Sequence, residues 1–133
     1  MIARAPIDLK SSVFPYVQVA ADPEFNVDAD EIYPDIQVKQ TVDLDEEKGL
    51  YQVTLAITVA PGNEDEKVPY KIDLVAVGLF SVDKGIDDPV RILKINGSSM
   101  LFSAAREFII AITARGPWPP FCLPTASFFY PKD

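Results

Sequence analysis

The run Asp43-Leu44-Asp45-Glu46-Glu47-Lys48-Gly49 sets carboxylates at alternating positions, as a calcium loop would. The frame then fails. Gly49 comes one place late for the sharp turn, and Thr54 stands where the closing bidentate glutamate belongs. Asp28, Asp30 and Glu31 form a second acidic cluster with no such frame. Both read as solvated loop carboxylates. Cys122 is the only cysteine and there is no histidine, so a thiol nucleophile would have no imidazole to activate it. The commonest general base and the commonest metal ligand are also missing. No glycine-rich phosphate cradle is present, so neither a cofactor nor ATP is expected. The inventory argues against an enzyme and toward a protein that works by its surfaces.

The bulk numbers narrow which surfaces. A chain of 133 residues is one domain by size, and 48% hydrophobic residues can build a core. A net charge of -8 with no basic run disfavours nucleic acid and anionic membrane as partners. A single cysteine forms no internal disulfide, which suits a reducing compartment. No apolar run reaches membrane-spanning length, and the N-terminus has no signal-peptide core, so a cytoplasmic location is expected.

The first two thirds of the chain patterns as strands. Residues 11–20 read as an irregular strand, with Pro15 at an edge or bend, and 22–35 as a long acidic loop. In 36–44, Ile36, Val38, Val42 and Leu44 share a face that Gln40 interrupts. In 51–59, Tyr51, Val53, Leu55, Ile57 and Val59 alternate cleanly with Gln52, Thr54, Ala56 and Thr58. Two hairpin loops follow these strands, the first with Gly49 available for positive φ. The strand 68–82 becomes apolar on both faces from Leu74 onward, a sign of cover on both faces. Asp87-Asp88-Pro89 reads as a break, and the six residues after it are ambiguous between helix and extended crossover. A helix then runs from about 98 to 115, with Ser98 or Ser99 as cap, and Gly116-Pro117 as stop. Its polar residues Ser103, Arg106, Glu107 and Thr113 fall on one narrow stripe. One sheet cannot cover so apolar a helix, and the simplest second cover is another subunit. Leu101, Ala105, Phe108, Ile109 and Ile112 are the candidate oligomer interface.

Gly78-Leu79-Phe80-Ser81-Val82, Leu101-Phe102-Ser103-Ala104-Ala105-Arg106-Glu107, Arg115-Gly116 and Leu123-Pro124 occur in an order and spacing that resemble the SecB family of protein-export chaperones. The resemblance is firm over about 70–130, softer over 34–60 and weak before 30. It implies an α+β fold: a four-stranded antiparallel sheet followed by one long helix packed on it. Strands would occupy about 11–82, a crossover 83–97, the helix about 98–115 and an extended proline-aromatic tail 116–133, all in one domain. It also implies a homo-oligomer, either a dimer or a tetramer built as a dimer of dimers. The family usually continues into a second helix and an acidic tail that meets the translocase motor SecA. This chain stops at Asp133, so the tail is expected to be missing and little of a second helix to form.

What the resemblance implies about function is an ATP-independent holding chaperone for unfolded polypeptide clients, with SecA as a candidate partner. Its client groove would be built from Ile32, Tyr33, Phe80, Phe102, Trp118 and Phe121. Its translocase-facing strand residue matches Asp73, beside Lys71, whereas the family's partner acids fall here at Ser12 and Tyr16. From the residues alone, Trp118 and Phe121 fit simple packing over the helix end better than a groove wall; with the resemblance the two readings are level. Arg106 and Glu107 are neighbours in sequence and do not face each other, so structural pairing with other groups is the expectation. The rival readings are an adaptor or structural subunit, and a toxin–antitoxin chaperone with one dedicated partner.

Overall fold

The computed structural model describes residues 4–28, 31–32 and 34–128. Strands β1 (Ile7–Ala21), β2 (Pro34–Asp45), β3 (Leu50–Pro61) and β4 (Tyr70–Val82) form one antiparallel sheet in the order β1-β4-β3-β2. A helical rod follows: α1 (Pro89–Ile92), a π-helical turn over Leu93–Gly97, and α2 (Ser98–Thr113). The α+β architecture with one long helix on a four-stranded antiparallel sheet is as the resemblance implies.

Strand alternation sets which face meets the helix. Val53, Leu55, Ile57 and Val59 of β3 and Ile72, Leu74, Ala76 and Phe80 of β4 are buried on the inner face. Phe80 reaches the helix because two glycines make room. A Cβ added at Gly78 would lie 2.9 Å from the Phe80 ring and 2.9 Å from Leu101, and one at Gly97 would lie 3.3 Å from the ring. Gln40, the polar interruption on β2, is paired: Ser98 Oγ donates to its Oε1 at 2.5 Å. Gly49 closes the β2–β3 hairpin with φ 63.

Several expectations are corrected. β1 begins at Ile7, because Ile7 still pairs with Val82, and Pro15 falls in a register irregularity between Val13 and Tyr16 of this edge strand. Asp87-Asp88-Pro89 starts the rod. The Asp88 side chain accepts the Arg91 N–H, and Pro89 sits in the first turn, where its missing N–H costs nothing. Ser98 and Ser99 therefore lie inside the rod and cap nothing. Thr113 is not on a polar stripe with Ser103 and Glu107. It is fully buried, its Oγ1 donating to Ile109 O at 2.6 Å.

The cover of α2 also differs from expectation. Leu101, Ala105 and Ile109 are buried against the chain's own sheet, 1, 0 and 0% exposed. Phe108 stacks on Phe14 of β1 at 4.8 Å, and Ile112 is half-buried beside Val19, Ala21 and Tyr70. Much of the second cover comes from the chain itself, since Phe121 and Leu123, beyond the helix, belong to the same core and Phe128 packs edge-on against Phe102 at 5.7 Å. What α2 leaves exposed is mostly small: Ser103, Ala104, Ala111 and Ala114, with Met100 and Glu107.

Candidate functional site: a proline-walled apolar groove

Topology puts three segments at one end of the sheet. β1 and β2 are opposite edges, so their link must cross that end. Ala21, the last residue of β1, pairs with Tyr70, the first of β4. Pro34, the first of β2, pairs with Pro61, the last of β3. The C-terminal end of α2 comes down on the same corner, because the Tyr70 hydroxyl lies 3.2 Å from Thr113 O.

Buried and part-buried hydrogen bonds pin the chain beyond α2 to this corner. Tyr70 Oη accepts the Trp118 N–H at 3.0 Å, and its own proton serves Trp118 O at 3.1 Å or Thr113 O. Thr113 Oγ1 accepts the Phe121 N–H at 2.9 Å, and Arg106 Nε donates to Leu123 O at 2.6 Å. Gly116 is required here, since a side chain would collide with the Tyr70 hydroxyl. Trp118 Nε1 donates to Asp22 O at 2.9 Å and its ring meets Phe25 edge-on at 5.6 Å, which ties in the link after β1. Asp22 N–H in turn donates to Pro69 O at 3.0 Å.

Between these pinned segments lies a groove of about 440 Å³. Phe25, Val27 and Ile32 of the β1–β2 link line it, with Pro34 and Ile36 of β2, Pro69 before β4, and Pro119, Pro120, Phe121, Cys122 and Pro124 after α2. Among the described residues, no charged side chain is in the wall. Val27, Ile32 and Ile36 are each next in sequence to a carboxylate: Asp28, Glu31 and Asp35. Such a surface can bind apolar side chains by removing them from water, at about 25 cal/mol per Å².

Of the expected groove residues, Ile32 and Phe121 are in the wall, and Trp118 braces it from behind. Phe80 and Phe102 are core, 0 and 4% exposed: the glycine slot takes in Phe80, and Phe102 packs in the core against Phe128. Tyr33 lies outside the described residues. Phe25, Val27, Pro69 and the prolines at 119, 120 and 124 were not anticipated. The signal for Phe25 and Val27 was there: apolar residues standing in an acidic loop are there to cover something. Arg106 ties down the segment after the helix, its Nη2 also lying 3.3 Å from Cys122 Sγ. Asp73 and Lys71 lie on the outer sheet face, beside a shallow depression with Gln18, Ala20 and Ile72. Asp45 accepts the Lys48 N–H at 3.3 Å, a turn role.

The family model described as "Preprotein translocase subunit SecB" matches residues 16–130. The chain belongs to the SecB family. Similar members are the protein-export protein SecB of Cellvibrio japonicus, 32% identical over 98 residues, and that of Wolbachia sp. subsp. Drosophila simulans, 29% identical over 98 residues. These alignments cover 71 and 68% of this chain, and the chain spans only 58 and 59% of the length of those SecB proteins. Among solved structures, the fold is similar to the Mycobacterium tuberculosis SecB-like chaperone Rv1957, in complex with a ChAD peptide from the HigA1 antitoxin. The TM-score is 0.74 at 17% identity, with 92% of this chain and 91% of that one covered. A Streptococcus agalactiae protein of unknown function shares the fold more loosely, with a TM-score of 0.54 at 11% identity, covering 92% of this chain and 100% of that one. Among the described residues, no helix is long and apolar enough to cross a membrane.

Proposed function

We propose that this SecB-family protein is an ATP-independent holding chaperone that receives non-native polypeptide in the proline-walled groove, in the service of protein export. The observation that carries the reading is the groove itself: about 440 Å³, with no charged side chain among the described residues of its wall, between segments fixed from behind by buried and part-buried hydrogen bonds. Apolar burial is non-directional, so one groove serves many sequences, and successive weak contacts along one client add avidity. Carboxylates beside the wall favour clients with basic stretches and keep an empty apolar site soluble. Nothing in this scheme requires a reaction. SecA is the proposed receiving partner, across the outer sheet face near Lys71 and Asp73, and the protein acts in the cytoplasm as a dimer or tetramer. The antitoxin peptide held by the related M. tuberculosis chaperone supports a second reading, a dedicated toxin–antitoxin client.

The test is aggregation of several unrelated denatured proteins, without nucleotide, followed by light scattering. Slowed aggregation of most of them is expected, and Val27→Asp should abolish it while leaving the thermal transition in place, since Val27 is 51% exposed. Protection of one client alone would favour the dedicated partner, and protection of none would favour the adaptor. The same scattering reports assembly, expected at two or four times the 14.7 kDa of one chain.

A further inference from the structure

A groove can recognise an extended chain through its main chain or through its side chains. Main-chain recognition adds a strand to a sheet edge, and it reads direction and handedness, because N–H and C=O groups recur with fixed polarity and L side chains alternate in a fixed sense. Side-chain recognition needs only apolar volume.

The wall offers little to a main chain. Five of its eleven described residues are prolines, which have no N–H. The amides of Phe25 and Phe121 are already spent on Asp22 O at 3.2 Å and Thr113 Oγ1 at 2.9 Å. The Pro69 carbonyl is taken by the Asp22 N–H. Of the other described wall amides, Ile32 and Ile36 stand on either side of Pro34, which has no N–H, Ile32 already bridges Lys67, and Val27 and Cys122 lie apart from them, so no unbroken ladder is offered. β2 is an edge strand, but where it enters the groove Pro34 has no N–H to give an added strand. Among the described residues of the wall, the only polar side-chain atom is Cys122 Sγ, beside Arg106.

We infer that the groove takes bulky apolar side chains of an unfolded polypeptide without reading the direction or the handedness of its main chain. This rests on the holding-chaperone reading. The neighbouring carboxylates do not disturb it, because attraction between charges over several ångströms is the same for either hand.

The test is fluorescence anisotropy of the full chain with a short labelled L-peptide of alternating Phe, Leu and Lys, its reversed-sequence L-peptide, and its all-D mirror image. The three Kd values are expected to agree within about fivefold, and Ile32→Asp, at an exposed wall position, should weaken all three by about tenfold or more. If the L-peptide binds and the reversed or D-peptide is weaker by more than about fivefold, the main chain is being read; the inference falls and the chaperone reading stands. Equal binding that Ile32→Asp leaves unchanged places the peptides elsewhere and also overturns it. Binding by none of the three overturns the chaperone reading, and the inference with it.

Discussion

Leu74 and Val75 are neighbours on β4 and lie on opposite faces of the sheet. Leu74 is fully buried beneath the helical rod. Val75 sits on the outer face with Val77 and Leu79, and β1 adds Tyr16 opposite Val75 and Val13 opposite Val77. Tyr16 and Val13 remain 47 and 57% exposed. The outer strip and the groove are therefore both apolar and both open, yet they differ in form. The groove is concave, and its walls are held by hydrogen bonds from Tyr70, Thr113 and Arg106. The strip is a sheet surface that can touch a chain from one side only. Hydrophobicity alone does not make a client site; enclosure by fixed walls lets a bound side chain lose most of its contact with water.

The largest expected effect separates the two sheet faces. Leu74→Ala should lower unfolding stability by about 2–5 kcal/mol, because it leaves a cavity in a packed core. Val75→Ala, one residue on, should cost roughly 1 kcal/mol or less. Urea midpoints of the two variants provide the check. Similar costs would mean that the outer face is closed in solution by another subunit, and the contrast would dissolve.

A smaller effect tests whether fixed walls distinguish the groove. Tyr70→Phe keeps the ring but strands the Trp118 N–H, at a cost of about 1–3 kcal/mol. It should also weaken client binding although Tyr70 is not in the wall. Trp118 is the only tryptophan, so a red-shifted emission would report its release directly. Unchanged emission with unchanged binding would show that the wall holds its place without the clamp.

The sequence made the sheet legible and the groove only partly so, for a physical reason. The alternation of Val53, Leu55, Ile57 and Val59 records one-sided burial, and that is local information. Gly116-Pro117 likewise marks the helix end, because stop chemistry is local. Asp88-Pro89 was ambiguous because an acid followed by proline suits both a turn and a helix start. Thr113 looked like a surface residue at helical spacing, but its partner is Phe121, across the chain reversal. Gln40 looked like a flaw in a strand, but its partner Ser98 is 58 residues away. The groove depends on such distant pairings. Its most telling residues, Phe25 and Pro69, lie in loops whose positions only the β1–β2 crossing explains. The apolar character of α2 was visible, whereas the post-helix segment that covers part of it has no periodicity to announce it.

The smallest effect concerns the outer side of the comparison, where the fastening is ionic instead of buried. Arg4 donates to both Asp83 oxygens, at 2.7 and 3.2 Å, and to Asp8 at 3.0 Å, joining the approach to β1 to the residue after β4. The hydrogen bond from Arg4 is the main reason that the Asp83 carboxyl is held below its ordinary 3.8; desolvation opposes it, and attraction to the Arg4 charge adds a smaller lowering. A carboxyl with a depressed folded-state pKa contributes stability that is present above its unfolded pKa and is lost as pH falls through the lower folded value. The wild type should therefore exceed Asp83→Asn in Tm at neutral pH by a small margin, because the pair is exposed to water and salt. That margin should shrink as pH drops below about 4 and vanish in molar salt. Melting curves from neutral to strongly acidic pH, at low and high salt, read it. A gap that survived both acid and salt would mean that Asp83 holds the end of β1 by packing and neutral hydrogen bonds, as Tyr70 holds the groove wall, and the distinction between the two fastenings would fail.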